Sequence, residues 1–300
     1  MNVLNFGSLN VDYVYGVSHI AKPGETIKAL SRNIFAGGKG LNQSVSMSRA
    51  GVDVFHAGCV GNESTLLLRT LQEENIDTEF VLALNADSGH TIIQVEDGGQ
   101  NCIIVNGGAN QKIPKSHVDI VIRRFAKNDL LVLQNEISNL AYIMEKAYTT
   151  GMQIIFNPSP YIDDIKKLPL YTVSYFVVNE DEGLKLFDAE VIEDIIPNAS
   201  QQYPGCRVLL TMGENGAMYY ENGAIIRQPA YTVKSVDSVA AGDTFLGYFV
   251  HGLTRDLPID KTLDNAAIAA AITVTRHGAA MSIPRMEELK LAIERMQIAG

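Results

Sequence analysis

The 300-residue chain is 46% hydrophobic and 19% charged, enough apolar side chains for one large α/β domain with a sizeable core. Lys and Arg number 24 against 34 Asp and Glu, a net charge of −10, which excludes a broad basic surface for nucleic acid or anionic membranes. Cys59, Cys102 and Cys206 lack metal-ligand spacing, and no apolar run approaches the roughly 18 residues of a membrane span. Because the N-terminus enters a strand-like segment instead of a signal peptide, we expect a cytoplasmic protein.

The chain opens on a buried-strand pattern at residues 2–8, and Asn10 and Asp12 follow directly. Open α/β sheets bind ligands at the carboxyl ends of their strands, and a carboxylate with a carboxamide supplies fixed acceptors for a hydroxyl-rich ligand. Asn and Asp side chains also stabilise ordinary turns. The residues alone leave both interpretations open.

Short alternating patterns at about residues 11–16 and 26–36 lack an intervening helix. Two later segments, 89–95 and 101–106, have the pattern of a hairpin joined by residues 96–100. The four segments predict a small antiparallel sheet attached to the main fold. Such a sheet has edges and a face that must be covered.

A glycine-rich stretch, Gly37-Gly38-Lys39-Gly40-Leu41-Asn42-Gln43, leads into a helix predicted from about Asn42 to Ala50. Glycines here permit a ligand to approach the backbone closely. Lys39 is either a ligand contact or a solvated surface lysine. The spacing matches neither a Walker A loop nor the GxGxxG dinucleotide fingerprint.

From Val52 onward, strand and helix patterns alternate, which indicates βαβ units and a mainly parallel sheet with helices on both faces. Glu136 directly follows the strand pattern at residues 130–134. Most glutamates exposed in such loops have no function, so the position alone does not assign one.

Two further loops follow predicted strands. Asn179-Glu180-Asp181-Glu182 comes after residues 175–178, and Thr211-Met212-Gly213-Glu214-Asn215-Gly216 ends the strand at 207–211. The acidic cluster could serve only to cap a helix and complement its dipole. The glycine loop could be an ordinary turn before the hairpin at 217–226.

Residues 233–253 predict a strand closing at Asp237, a small-residue turn at Ala240-Ala241-Gly242 and a helix opening at Asp243. The free N–H groups of a first helical turn form a site for an anion such as phosphate. Asp243 is therefore either the N-cap of this helix or a base beside a bound phosphate.

The pattern Asp-x-x-Ala-Ala-Gly-Asp-Thr-Phe at 237–245, together with the stretch at 37–43, resembles the two signatures of the PfkB carbohydrate kinase family, most closely those of its ribokinase group. The likeness extends from Asn5 to about Pro284. It implies a single ribokinase-like α/β domain over residues 1–300, with the small sheet as a lid over a sugar. It also implies ATP-dependent phosphorylation of D-ribose, with another family substrate such as adenosine or fructose as the alternative, or a sugar-binding regulator without catalysis.

The resemblance also implies roles for individual residues. Asp243 would be the general base, within an anion hole formed by Ala240, Ala241, Gly242 and Asp243. The sugar contacts would be Asn10, Asp12, Gly38, Lys39, Gly40, Asn42, Glu136 and Asp243. The ATP contacts would be Asn179, Thr211, Gly213, Glu214, Asn215, Gly216, Gly242 and Asp243.

Two metal ions are expected by the same resemblance. Glu182 would act on Mg²⁺ through water, and potassium would be ringed by Asp237, Val239, Thr273, Arg276, Gly278 and Ser282, several through backbone carbonyls. Relatives pair their subunits through the lid, so we expect a homodimer. The loop at 61–66 departs from the family pattern, and Asn265 is near but out of register with a family nucleotide contact.

Overall fold

The computed structural model describes residues 1–96, 98 and 100–299, so the turn predicted at residues 96–100 lies partly outside the described residues. The described residues form thirteen strands and nine α-helices. The strands are β1 (Val3–Phe6), β2 (Asn10–Val17), β3 (Ser31–Gly37), β4 (Val54–Asn62), β5 (Asp77–Asp87), β6 (Gly89–Glu96), β7 (Asn101–Asn106), β8 (Leu130–Gln134), β9 (Gln153–Asn157), β10 (Tyr175–Asn179), β11 (Arg207–Thr211), β12 (Ala217–Glu221) and β13 (Ala224–Gln228). The helices are α1 (Lys39–Arg49), α2 (Thr65–Glu73), α3 (Lys115–Ile122), α4 (Leu140–Thr150), α5 (Glu180–Leu186), α6 (Ile192–Gln202), α7 (Ala241–Thr254), α8 (Ile259–Val274) and α9 (Met286–Ala299).

Within the described part of the chain, nine strands form the central sheet in the order β13-β12-β11-β10-β9-β8-β1-β4-β5. The strands from β11 to β5 are parallel to one another, and β12 and β13 add an antiparallel edge. This confirms the predicted mainly parallel sheet. None of the helices in the described ranges is long and apolar enough to cross a membrane.

Helices cover both faces of this sheet, as predicted. Along β8, Leu131 and Leu133 belong to a core with α3, α4, α5 and α6, whereas Leu130 and Val132 belong to a second core with α1, α2, α7 and α8. Successive side chains of a strand point to opposite faces, so a strand between two helical layers is apolar on both faces. Every residue of β8 is accordingly buried.

The second, smaller sheet has the order β3-β2-β6-β7. The prediction of an antiparallel sheet is wrong at one pairing, because β2 runs parallel to β6. The reason lies in the central sheet, where β1 and β5 point the same way. Because β2 continues from β1 and β6 from β5, both leave the central sheet in the same direction.

The expected lid segment at 26–36 is also shorter than predicted. Strand β3 begins at Ser31, which pairs with Gly16 close to the end of β2, so residues 26–29 lie beyond the paired part of the sheet. Leu30 makes one further bond of this kind, from its N–H to the carbonyl of Gly16 at 2.8 Å.

Three predicted boundaries near the glycine-rich turns are corrected by the structure. Residues 233–237 form no strand, because the N–H groups of Val236 and Asp237 donate to the carbonyl of Val274 at the end of α8 and not to a sheet neighbour. Helix α7 begins at Ala241 and α1 at Lys39, each before the predicted start. In both cases a residue with positive φ, Ala240 or Gly38, turns the chain directly into the helix.

Candidate active site

Helices α1 and α7 pack side by side, and this brings Asp243 against the glycine-rich stretch that precedes α1. The Asp243 side chain is 8% exposed. Its Oδ1 accepts a hydrogen bond from Gln43 Nε2 at 2.9 Å, and its Oδ2 lies 3.4 Å from Asn42 Nδ2. The N-cap position of α7 belongs to Ala240, so the N-cap alternative for Asp243 is wrong. Asp243 instead places a buried carboxylate beside the first turn of the helix.

The turn before α7 leaves space for a ligand. Ala240 has φ 62° and ψ 7°, the left-handed region that residues other than glycine seldom adopt. Gly242 is exposed, and no atom beyond its adjacent residues and the backbone of its own helix lies within 4 Å of where a Cβ on it would be. Ala241 to Asp243 form the first turn of a 14-residue helix, whose N–H groups carry partial positive charge. This geometry suits an anion next to the Asp243 carboxylate.

The start of α1 is tied to the loop after β1 and to Glu136. One Glu136 oxygen, Oε2, accepts from the Ser8 hydroxyl and from the Lys39 N–H, the latter at 2.9 Å. The Gly40 N–H donates to the Ser8 hydroxyl at 3.1 Å. A Cβ on Gly40 would lie 2.3 Å from the Ser8 nitrogen, so only glycine fits there. Glu136 thus holds the glycine-rich turn, including Gly38, in place.

Asp12 and Asn10 lie where β2 leaves the central sheet. Asp12 accepts a hydrogen bond from the Thr91 hydroxyl at 2.6 Å. Burial raises the pKa of Asp12 to about 6, the Thr91 hydrogen bond opposes this rise, and the negative charge of Glu136 adds to it. Asn10 is buried, and its Oδ1 accepts from Asn110 Nδ2 at 2.8 Å.

The two loops predicted to contact a nucleotide are neighbours. Asn179 pairs with Thr211 in the register of β10 and β11, so both loops leave the same edge of the sheet. Asn179 and Glu182 form a reciprocal capping box, in which Asn179 Oδ1 accepts from the Glu182 N–H at 2.8 Å and Glu182 Oε2 from the Asn179 N–H at 3.1 Å. The capping interpretation is therefore correct.

The Thr211 loop turns through two glycines with positive φ. The N–H of Met212 donates to the Gly216 carbonyl at 2.8 Å, and Asn215 and Gly216 complete the turn. Gly213 and Glu214 are exposed, and no atom beyond the adjacent residues lies within 4 Å of a Cβ built on Gly213, so this part of the loop is open.

Several residues of the predicted potassium site converge between α7 and α8. Asp237 accepts from the N–H groups of Val239, at 3.0 Å, and Gly278, at 3.1 Å. The Thr273 hydroxyl lies 3.0 Å from that of Thr244 in α7. The Arg276 guanidinium pairs with Glu288 at 2.5 Å, and the Ser282 hydroxyl donates to the Ala279 carbonyl at 2.8 Å. The side chains of Arg276 and Ser282 are therefore both occupied by partners within the protein.

No three His, Cys, Asp or Glu side chains are grouped to hold a metal ion in the ranges that the structure describes.

The sequence analysis missed the buried amides behind Asp243. Gln43 Oε1 accepts from Gln134 Nε2 at 2.7 Å, and the same nitrogen donates to Asn5 Oδ1 at 2.9 Å. Gln43 lies inside the quoted glycine-rich motif, and Asn5 and Gln134 are polar residues in otherwise apolar strand patterns. A buried polar side chain requires a partner, so these breaks in the pattern were the available signal.

The fold and the site are of the kind expected for a phosphotransferase acting on an alcohol group, because a helix begins beside a buried carboxylate and further polar side chains lie nearby. Residues 2–286 match the description "pfkB family carbohydrate kinase", and the chain belongs to that family. It is a ribokinase-like sugar kinase.

Similar proteins cover nearly the whole chain. The ribokinase of Haemophilus influenzae is 31% identical over 294 residues, which span 94% of this chain and 95% of that one. The crystal structure of ribokinase from Thermotoga maritima has a TM-score of 0.88 and 31% identity, covering 98% of this chain and 99% of that one. The structure of Arabidopsis thaliana ribokinase complexed with ribose and ATP has a TM-score of 0.84 and 25% identity, covering 97% of each chain.

Proposed function

We propose that this enzyme transfers the γ-phosphoryl group of ATP to the terminal hydroxymethyl of D-ribose, giving ribose 5-phosphate and ADP. The observation that carries the proposal is the pairing of the buried Asp243 carboxylate with the open turn at Gly242. The likeness to ribokinases, one of them complexed with ribose and ATP, supports ribose and ATP as the substrates.

In this proposal Asp243 accepts the proton of the sugar hydroxyl as its oxygen attacks the γ-phosphorus. The bond from that phosphorus to the β–γ bridging oxygen breaks, and ADP leaves. N–H groups from Ala240 to Asp243 stabilise the charge on the transferring group, because the turn and the helix start hold them in place before the reaction begins. The Ala241 N–H, which donates to the Ser238 carbonyl at 3.3 Å, would be shared between the two acceptors. The loops at Asn179 and at residues 211–216 bind the rest of the nucleotide.

The sugar is proposed to bind between α1 and the start of β2. Asn42 Oδ1 is buried and has no hydrogen-bond partner within the described residues. A buried acceptor of this kind needs a donor, and a sugar hydroxyl supplies one. The Asp12 carboxylate and Asn10 offer further polar groups, while Gly38, Lys39 and Gly40 bring backbone close to the ligand. Glu136 acts indirectly, by accepting the Lys39 N–H and so holding this backbone in place.

The residues present fit the two proposed metal ions. Mg²⁺ keeps several waters and takes few protein carboxylates, which suits a site where Glu182 contributes through water and the ATP phosphates supply most ligands. When bound, Mg²⁺ neutralises phosphate charge. Potassium would be held by the Asp237 carboxylate and the backbone near Val239, Thr273, Arg276, Gly278 and Ser282, segments that the hydrogen bonds of Asp237 already draw together.

We propose that the four-stranded sheet is a lid and also the dimer interface. Large apolar side chains on β3, β6 and β7 are exposed, namely Ile34, Phe35, Ile92, Ile103, Ile104 and Val105. The strand registers put Ile34, Ile92 and Ile104 in one row on one face and Phe35 and Val105 on the other, and exposed apolar side chains of this kind are typical of an interaction site. Sedimentation equilibrium tests the pairing: a dimer is expected, and Ile104→Lys should give a monomer. A wild-type monomer at micromolar concentration would contradict it.

A panel of sugars and nucleosides, assayed for ADP release, tests the substrate. D-Ribose should have the highest kcat/KM, and phosphorus–proton coupling in the product should place the phosphate on the terminal carbon. If adenosine or fructose has a higher kcat/KM, that compound and not ribose is the substrate. Binding of ribose without ADP release would instead favour a sugar-binding regulator.

A further inference from the structure

We infer that Gln43 is a positioning residue that orients the Asp243 carboxylate toward the acceptor hydroxyl. The inference rests on the proposed function, in which Asp243 is the base. Gln43 is 1% exposed, and its Nε2 donates to Asp243 Oδ1 at 2.9 Å. No closer side-chain contact to this carboxylate is found in the described residues, since Asn42 Nδ2 is 3.4 Å from Oδ2.

The direction of the Gln43 amide is set by the side chains behind it. Gln134 Nε2 donates to Gln43 Oε1 at 2.7 Å, so the carbonyl end of Gln43 faces Gln134 and the NH₂ end faces Asp243. Gln134 is oriented in turn by Asn5, whose Oδ1 accepts from the same Nε2 at 2.9 Å. If the amide at any of these positions were flipped, two acceptors or two donors would face each other.

The chain of hydrogen bonds ends in groups whose roles are fixed by chemistry. Asn5 Nδ2 donates to the Gly40 carbonyl and to the Ser44 hydroxyl, each at 2.7 Å, and a carbonyl can only accept. Ser44 lies 2.8 Å from His56 Nδ1. Asn5, Ser44, His56 and Gln134 are all fully buried. The order of donors is therefore dictated from the central strands outward to Asp243.

The two oxygens of the Asp243 carboxylate therefore have different roles. Oδ1 is held by Gln43, which leaves Oδ2 with only the long contact to Asn42 among the described residues and free to accept a proton from the substrate. Because Asn5 and Gln134 belong to β1 and β8 at the centre of the sheet, the carboxylate is fixed relative to the rigid part of the fold. A base held in this way needs little reorganisation when the hydroxyl arrives.

Three variants test the inference, each measured for kcat, for both KM values and for unfolding by urea. Gln43→Met keeps the side-chain length and removes the donor; we expect kcat to fall about 10²-fold with both KM values within about twofold, since misplacing a reacting group costs about this much. Gln43→Glu should be slower still, because it places a second carboxylate against the first. Gln134→Met removes the donor to Gln43 Oε1 but leaves the bond from Gln43 Nε2 to Asn157 Oδ1 at 3.2 Å, so it should show a smaller fall in kcat.

Ser46→Ala is the matched control. Ser46 is fully buried on the same helix, and its hydroxyl donates to the Thr244 carbonyl at 3.1 Å, so it joins α1 to α7 without contacting the Asp243 carboxylate. Its kcat should remain within about threefold of wild type. An equal fall in Ser46→Ala and Gln43→Met would mean that Gln43 only supports packing, and the inference would be wrong.

A double-mutant cycle separates this inference from the proposed mechanism. If Gln43 acts through Asp243, then Gln43→Met should lower kcat no further in an Asp243→Asn background. The same fold-loss in both backgrounds would overturn the positioning role and leave Asp243 as base. Near-native turnover of Asp243→Asn alone would overturn the base and, with it, the inference.

Discussion

The guanidinium of Arg49 holds both carboxylate oxygens of Glu74, with Nη2 at 2.6 Å from Oε1 and Nε at 3.1 Å from Oε2. The remaining Arg49 nitrogen, Nη1, donates to the carbonyls of Ala280, at 2.9 Å, and Ile283, at 2.6 Å. Arg285 also reaches Glu74, at 3.0 Å. One ion cluster therefore joins the end of α1 to the loop that follows α8.

Glu74→Gln should lower the free energy of unfolding by about 3 to 5 kcal/mol, because it leaves the charge of a buried partner unpaired. The side chains of Arg49 and Glu74 are each only 9% exposed. Urea denaturation measures the change. Glu73→Gln is the control, since its pair with Arg69 is 59% and 70% exposed and is worth less than about 0.5 kcal/mol. Equal losses in the two variants would contradict the prediction.

The loss of stability in Glu74→Gln should depend on pH. Burial raises the pKa of Glu74, but the hydrogen bonds and charges of Arg49 and Arg285 outweigh it, so the pKa is below the ordinary 4.5. Stability from a lowered pKa is present above the unfolded value and is lost as the pH falls through the folded one. The difference between wild type and Glu74→Gln should therefore be full at pH 7 and shrink below about pH 4.5.

Replacement of the proposed base should separate binding from chemistry. Asp243→Asn keeps the shape of the side chain, so we expect turnover to fall roughly 10²- to 10⁴-fold. Calorimetric dissociation constants for ribose and ATP should stay near those of wild type. Near-native turnover in this variant would show that another group removes the hydroxyl proton.

The sequence predicted most of the fold because its signals were local. The glycine-rich turns, the apolar strand β8 and the alternation of strands and helices can all be read within a few residues. The segment before α7 could not, since its β-branched residues resemble a strand and only their bonds to Val274 reveal otherwise. The parallel pairing of β2 with β6 likewise depends on the direction of two distant central strands.

The site was predicted less completely than the fold, for a related reason. Asp243 and Asn42 each belong to a recognisable motif, whereas Gln134 and Gln43 are partners separated by 91 residues. Asn10 and Asn110 are separated by 100. A single sequence shows that a polar residue interrupts an apolar strand, but its partner is known only once the chain is folded.

The pKa of Asp12, raised by burial to about 6, should appear in the pH profile for the sugar. Below that pH the carboxyl group is protonated and offers fewer acceptors to sugar hydroxyls, so kcat/KM for ribose should fall on the acid side with a midpoint near 6. Asp12→Asn should have a lower kcat/KM at pH 8 and lack this limb. If kcat/KM of Asp12→Asn falls at acid pH as that of the wild type does, another group is responsible for the fall.

The same carboxyl group should make the fold less stable as the pH rises, whereas kcat/KM rises with pH. The folded pKa of Asp12 is above its ordinary value of 3.8, so the folded state binds the proton more tightly and loses stability as the pH rises from 4 through 6. Asp12→Asn removes this loss. Its free energy of unfolding relative to wild type should therefore increase between pH 4 and pH 7.

Potassium should activate the enzyme by ordering the turn before α7. Asp237 joins this turn to Gly278 at 3.1 Å, and the turn carries the proposed anion hole. At equal ionic strength, kcat in KCl should exceed kcat in tetramethylammonium chloride by about 5- to 150-fold, the usual range for coupled sites. Asp237→Ala should abolish the difference. Equal rates in the two salts with the wild-type enzyme would contradict a cation site here.

The last prediction concerns closure of the lid over the sugar. In the registers of β2, β3, β6 and β7, Asp12 is paired with Phe35 and Thr91, and Thr91 with Val105, so the four side chains form one row on one face of the sheet. Phe35 is 44% exposed and Val105 59%. A sugar held by Asp12 would draw this face onto the ligand and cover both apolar side chains.

Saturating ribose should therefore slow amide exchange in β6, β7 and β3, because their backbone hydrogen bonds open less often when the face is covered. The hairpin of β12 and β13, at the far edge of the central sheet, is the internal control and should exchange at an unchanged rate. Mass spectrometry of peptides after deuterium labelling measures both. If ribose leaves the three lid strands unprotected, the experiment is repeated with adenosine and fructose. Protection by one of these would show that ribose is the wrong substrate, whereas protection by none would show that the sheet is not a lid.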